Sequence, residues 1–252
     1  PRVPFIVAGI LTLLNWLYGF FVLPESLAPH LRRRFRWRAA NPVASLGGLG
    51  RYPVVLSLTA TIICTNFAQQ CLQSTWVLYT TYRFDWNTWQ QGLSLALFGI
   101  MAAIIQAGLL RILLPRLGER RALVIGLLSS MIGFVLYGLA TQGWMMYAIL
   151  VGTALGFIAQ PAAQGLIANA VGADEQGTIQ GALTSLLSLT GIVAPVTATT
   201  IFSRFTSPTQ ALQVPGAPFF LGAALTLLGL FLALRSFTRL PSPARPAVLD
   251  EQ

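Results

Sequence analysis

Charge is scarce in this chain: Asp, Glu, Lys and Arg make up 9% of its 252 residues, against roughly 25% in soluble domains. Lysine is absent, so all 16 basic residues are Arg, a bias that reads as codon usage in a GC-rich bacterial genome. His30 is the single histidine and Cys64 and Cys71 are the only cysteines. Those two thiols share a helix face about 10 Å apart at 1.5 Å of rise per residue, too far for a disulfide with each other. With no Cys-x-x-Cys or Cys/His spacing either, no metal site and no cofactor is implied. Intramembrane catalysis is excluded in the same way, since no Ser/His, Asp/Asp or His-rich constellation falls inside an apolar run.

What is present is apolar. Hydrophobic residues make up 55% of the chain and the mean hydropathy is +0.68. The 15 Pro and 23 Gly would break soluble helices, but membrane helices tolerate both. The formal net charge of +9 raises the question of nucleic acid, but the Arg residues sit between apolar runs and not on a folded basic face, so no nucleic-acid partner is expected. The run Arg32-Arg33-Arg34-Phe35-Arg36-Trp37-Arg38 reads as a contact for anionic membrane lipids, or as a plain topology signal.

A bilayer core of about 30 Å needs roughly 20 apolar residues per helix. About seven such stretches emerge, from Pro4 to Leu23, Pro53 to Thr80, Gly92 to Leu114, Ala122 to Ala140, Trp144 to Val171, Gly177 to Phe202 and Ala217 to Phe237. The polar, basic stretch 24–51 reads as a linker between two bundles, and the Pro-rich tail 240–252 as disordered. The start, Pro1-Arg2-Val3-Pro4-Phe5, has neither Met nor a signal-peptide pattern and reads as a truncation. Arg32 to Arg38 with Arg51, Arg111 to Arg121, and Arg235, Arg239 and Arg245 gather on one side, leaving Arg2, Arg83 and Arg204 on the other. The rule that basic loops stay inside makes the first side, and the C-terminus, cytoplasmic.

None of the seven acids falls clearly inside a span: Glu25, Asp85, Glu119, Asp174 and Glu175 sit at span ends or in loops, Asp250 and Glu251 in the tail. The polar residues within the spans are uncharged. Asn66, Gln69, Gln70 and Gln73 follow i, i+3, i+4, i+7, extended by Thr59 before and Trp76 after, and so share a helix face. An amide facing hydrocarbon costs several kcal/mol, so the row is read as the wall of a wet cavity, with helix-to-helix amide bonding as the alternative. Gln106 stands alone in the next span, and Gln160 and Gln164 flank Pro161. Pro161 and Pro195 are expected to kink or hinge their helices. Gly152 with Gly156, and Gly177 with Gly181, have the spacing of close helix packing.

Several motifs in order carry a family resemblance. They are Leu23-Pro24-Glu25-Ser26, Asn41-Pro42 with Ser45, Tyr82-Arg83-Phe84-Asp85-Trp86, Gly92-Leu93-Ser94-Leu95, Leu117-Gly118-Glu119-Arg120-Arg121, Gly143-Trp144, Pro161-Ala162 with Gln164-Gly165, and Gln176-Gly177 with Gln180-Gly181-Ala182-Leu183. Taken together the chain resembles the tetracycline-resistance branch of the major facilitator superfamily. The resemblance implies an all-α membrane protein: the last helix of an N-terminal bundle (1–23), the linker (24–51), and a C-terminal bundle of six helices (52–239) built as two inverted three-helix units. It further implies a multi-pass protein of the bacterial inner membrane, not an enzyme, that exchanges protons for small-molecule drugs by alternating access, with a preceding N-terminal half as its partner. A metabolite or sugar carrier on the same fold is the alternative. The stretch Arg111 to Arg121 resembles a second copy of the superfamily's Gly-x-x-x-Asp-Arg-x-Gly-Arg-Arg loop, with Arg111 and Pro115 in place of Gly and Asp. That assigns gating to Arg116, Gly118, Arg120 and Arg121. Ser130 and Ala102 stand where tetracycline exporters carry an intramembrane Asp and a His, and the proton-titrating carboxylate is expected in the other half.

Overall fold

The computed structural model describes residues 3–22, 53–172, 175–207 and 213–238. The linker 24–51 with its Arg run, the tail 240–252, and Asp174 therefore lie outside the described residues. The chain divides into two units, 1–39 and 40–252. In the first, α1 (Val3–Phe21) is a 19-residue apolar helix, about 28 Å long at 1.5 Å per residue, with Trp16 stacked on Phe20 one turn on.

The second unit is helical throughout its described residues. Its elements are α2 (Pro53–Phe84), α3 (Thr88–Ala103), a π-helical turn (Ile104–Leu109), α4 (Leu110–Leu117), α5 (Glu119–Leu139), α6 (Gly143–Gly152), a 3-10 segment (Ala154–Ile158), α7 (Ala159–Ala170), α8 (Gln176–Thr206) and α9 (Ala217–Phe237). The α3–π–α4 run, Thr88–Leu117, forms one span, and α6 with Ala154–Ala170 forms another that is bent by 47°. With α2, α5, α8 and α9 these make six helical spans, as expected from the sequence. Most helices run a few residues past the expected ends because polar residues at the interface continue them; α2 ends at Phe84, not Thr80.

The ends are fixed by local chemistry. Asp85 takes φ 52°, a left-handed end normally left to Gly but tolerated by Asp, and its N–H returns to the Thr81 carbonyl at 3.0 Å. Asn87 then opens α3 with a reciprocal capping box to Gln90, a feature that contributes about 1 kcal/mol. At the other end of that span Gly118, at φ 76°, turns α4 into α5, a conformation for which glycine is the natural residue.

α2 is the central helix, packed on α9, α8 and α7, while α9 packs in turn on α5, and α5 on α7 and the 3-10 segment. Two clusters hold these helices. One joins Leu58, Leu123, Ile158 and Leu183 toward the α4–α5 turn. The other is aromatic, at the opposite end: Trp86 stacks on Tyr147 at 4.9 Å, Tyr79 meets Phe219 edge-on at 4.7 Å, and Trp76 meets Tyr137 edge-on at 5.3 Å. Tyr79 also donates its hydroxyl to the Tyr137 carbonyl at 2.9 Å. The two outer spans are far less enclosed: 11% of the apolar window of Thr88–Leu117 and 17% of that of α8 is buried, against 39–44% in α2, α5 and α9.

Small residues set the closest approaches. A Cβ on Gly126 would lie 2.7 Å from the Ala159 backbone nitrogen, whereas one on Gly152 would meet nothing within 4 Å. In the expected Gly152/Gly156 pair, therefore, only Gly156 lies in a helix contact, against Ser130. In the full-length protein in detergent, Gly126→Ala is expected to cost about 1–3 kcal/mol by forcing two backbones apart. Gly152→Ala is expected to leave the melting temperature within about 0.5 kcal/mol of the parent. Equal melting temperatures for the two variants would contradict the packing described.

Candidate binding cavity

A cavity of about 480 Å³ lies in the middle of the six-helix unit, walled by α2, the α3 span, α5, the bent α6–α7 span and α9. Its polar residues divide sharply by chemistry. The threonine hydroxyls satisfy themselves within their own spans: Thr65 donates to the Thr61 carbonyl at 3.0 Å, Thr153 to Ile149 at 2.7 Å and Thr226 to Gly222 at 2.8 Å. The amides of Gln69, Gln73, Gln106, Gln160 and Gln164 line the same wall and make no hydrogen bond with any described residue. Each offers two donors and a carbonyl acceptor to whatever fills the cavity. Phe98 and Phe157, edge-on at 4.9 Å, supply apolar surface beside them, with Phe134 and Tyr137. No carboxylate, guanidinium or imidazole is among the lining residues.

The four amides of α2 do not act alike. Gln69 and Gln73 face only the cavity. Asn66 lines it too, but its Oδ1 accepts from the Thr190 hydroxyl of α8 at 2.7 Å. Gln70 is off the wall: its Nε2 lies 3.3 Å from where a Cβ on Gly191 would stand, so its side chain rests on the bare backbone of α8. The next residue, Cys71, points its thiol at the Ala194 carbonyl at 3.7 Å. The α2–α8 seam is thus a run of polar contacts. Trp76 is also off the wall, 6% exposed, with its indole N–H held by the Ser94 hydroxyl at 3.0 Å. Ser130 and Ala102 do line the cavity. Thr59 is buried, and its hydroxyl is without a partner.

Two backbone irregularities aim the amides. The π-turn inserts a residue into the α3 span, so that the Leu110 N–H reaches back five residues to Ile105, and Gln106 sits in that turn. In the other span the break falls at Thr153, followed by the 3-10 segment, and Pro161 lies in the first turn of α7. Pro161 has no N–H for the carbonyl four residues back, which accounts for overwound backbone just ahead of it. Ser129 of α5 donates to the Thr153 carbonyl at 3.0 Å and ties the break down. Pro195, by contrast, lies inside α8, which continues unbroken to Thr206.

The residues assigned to gating sit at the α4–α5 turn. Arg120 lies over the Phe237 ring of α9 at 5.8 Å; Arg116 and Arg121 are exposed. A residue absent from the expected set proves better connected: both Glu119 oxygens accept from the Asn169 amide at 3.0 Å, and the carboxylate lies so close to Gly165 that a Cβ there would be 2.7 Å from Oε1. Glu119 thereby fastens the turn to the far end of α7. Only the four-residue step from Gly165 to Asn169 hinted at this in the sequence.

Thr190→Val and Trp76→Phe each remove a donor to a fixed partner and are expected to destabilise the full-length protein by about 0.5–2 kcal/mol. Gln73→Ala, whose amide contacts only the cavity, is expected to leave the melting temperature within about 0.5 kcal/mol. A larger loss for Gln73→Ala than for Thr190→Val would reverse the division between seam and wall.

Comparison with known proteins gives one consistent answer. The Major Facilitator Superfamily matches residues 1–195 and, in a second and overlapping match, 113–251. The chain is 36% identical over 225 residues to the class C tetracycline resistance protein of Escherichia coli, covering 89% of this chain and 55% of that protein. It is 42% identical over 159 residues to the class G protein of Vibrio anguillarum, covering 63% and 39%, and 33% identical over 247 residues to the class D protein of Salmonella ordonez, covering 96% and 59%. It thus spans about half the length of these relatives. With six apolar helical spans around an amide-lined cavity and a family match along nearly its whole length, the chain belongs to the Major Facilitator Superfamily.

Proposed function

We propose that the chain is the C-terminal half, with one preceding helix, of a proton-coupled exporter of tetracycline-like or other amphipathic drugs, and that the central cavity is this half's share of the cargo site. The observation that carries the reading is the set of five unpartnered glutamine amides beside Phe98 and Phe157 in a cavity without charge. Such a wall suits a large, partly aromatic molecule with many hydrogen-bonding groups. The likeness to three proteins named for tetracycline resistance supports drugs over a sugar or metabolite as cargo. Two less enclosed spans, α3–α4 and α8, would face the N-terminal half. Because no acid lines the cavity, the carboxylate that exchanges protons belongs to that other half. We place the protein in the bacterial inner membrane, with the α4–α5 turn and the C-terminus cytoplasmic, in accord with Arg111, Arg116, Arg120, Arg121 and Arg235 at that end and Arg83 and Arg204 at the other.

The full-length gene, expressed in an efflux-deficient host, is expected to raise the inhibitory concentration of tetracycline. Gln73→Ala and Gln160→Ala are each expected to shift it about fivefold, the equivalent of one hydrogen bond of about 1 kcal/mol, at unchanged abundance. Unaltered susceptibility to tetracyclines and other amphipathic drugs, with the protein inserted in the membrane, would refute export. Orientation has its own check: in intact cells an impermeant thiol reagent should label Arg83→Cys and not Arg120→Cys, and the converse would invert the topology.

A further inference from the structure

The central cavity does not end the polar lane through this unit. A second cavity of about 300 Å³ lies between α7 and the first turns of α8, and Gln164 lines both. On α7 the amides step by four residues from Gln160 to Gln164 toward the turn, about 6 Å per step. On α8 they step back from Gln176 to Gln180 along the opposite wall. Gln176 is anchored, its Nε2 donating across to the Ala168 carbonyl at 3.2 Å, whereas the amides of Gln164 and Gln180 make no hydrogen bond with any described residue. Ile167, Ile179 and Leu183 supply the apolar floor. The groove is open at Gly177, where an added Cβ would meet nothing within 4 Å. Amides with free donors and acceptors, apolar floor and no charged side chain among the lining residues repeat the wall of the central cavity one step nearer the α4–α5 turn.

We propose that the α7–α8 groove is a second subsite for the same class of cargo, an aromatic, hydrogen-bonding amphiphile, which passes to the central cavity by way of Gln164. This rests on the reading of the central cavity as a cargo site. Occupancy is sequential: Gln180 and Gln164 hold polar groups of the cargo at the α7–α8 end, and Gln164 is shared as the cargo moves on to Gln160 and Gln73.

The test is thiol protection in the full-length protein in membrane vesicles, with Cys64→Ala and Cys71→Ala as background and one of Gln73→Cys, Ala168→Cys, Gln180→Cys or Ser188→Cys added. Tetracycline is the probe. It is expected to slow maleimide labelling severalfold at 73, 168 and 180 and to leave 188, on the same helix but outside the groove, unchanged. Adding Gly177→Leu, whose Cβ would meet nothing within 4 Å and which adds bulk to the wall of the groove, is expected to abolish protection at 168 and keep it at 73. Protection at 73 alone overturns the second subsite and leaves the central one standing. Slowing at 188 equal to that at 180 also overturns it, because movement of α8 and not occupancy then explains the effect. Protection at none of the four positions overturns both sites.

Discussion

Hydrocarbon neither gives nor takes a hydrogen bond, and the arrangement of this protein follows from that constraint. The backbone meets it by forming helices. Many Ser and Thr meet it within their own helix, as Thr61, Thr75, Thr80 and Thr184 do by donating to the carbonyl four residues back. Thr61 goes further and also reaches the Gly229 carbonyl of α9 at 3.0 Å, joining the two most closely packed helices. Asn and Gln are in a different position, since an amide carries two donors and an acceptor on a longer arm and no single carbonyl of its own helix satisfies it. Each amide in a span must therefore find another helix or a wet space. Asn66 and Gln70 turn to α8, Gln91 to Thr81 of α2 and Asn169 to Glu119 of α5, and Gln69, Gln73, Gln106, Gln160, Gln164 and Gln180 line the two cavities.

How much of this could be read from the sequence depends on the range of the forces involved. Span number and placement were legible because length and apolarity are local properties, and α9 matches its expected bounds, Ala217–Phe237, residue for residue. The amide row was legible as a face but not as two faces. Gln69 and Gln70 are adjacent, so they diverge by about 100° around the helix, enough to put one against the cavity and the other against α8. The helix period contains that divergence; it does not say which neighbour stands on which side. The π-turn had no signature at all, because Ile104-Ile105-Gln106-Ala107-Gly108-Leu109 differs in no local respect from an apolar α-helix.

Glycine illustrates the same limit. Gly126 and Gly152 both lie within apolar stretches, and the spacing to Gly156 pointed to Gly152, not to Gly126, as the packed one. One faces a backbone at van der Waals contact and the other open space, because the distinction belongs to the partner helix. The family resemblance carried fold information well for the converse reason: it includes turn residues such as Asp85 and Gly118, whose roles are local. It pointed to the arginines of the α4–α5 turn, while the carboxylate between them makes the contact with α7, on Asn169 and Gly165.

That contact gives the bent span its significance. α6 and α7 meet at a 47° bend, where the Gly156 N–H and the Ser129 hydroxyl share the Thr153 carbonyl and the small faces of Gly126 and Gly133 let α5 close upon Ala159 and Thr153. Beyond the bend, α7 carries Gln160 and Gln164 into the cavity wall, and its last turn is held by Glu119 from the α4–α5 turn. The amides of this helix are therefore set by two supports: one at the broken backbone, which fixes where the helix begins, and one at the carboxylate, which fixes where it ends. Gln160 and Gln164 sit on one continuous helix, and the two side chains that hold its supports, Ser129 and Glu119, are not themselves residues of the cavity wall.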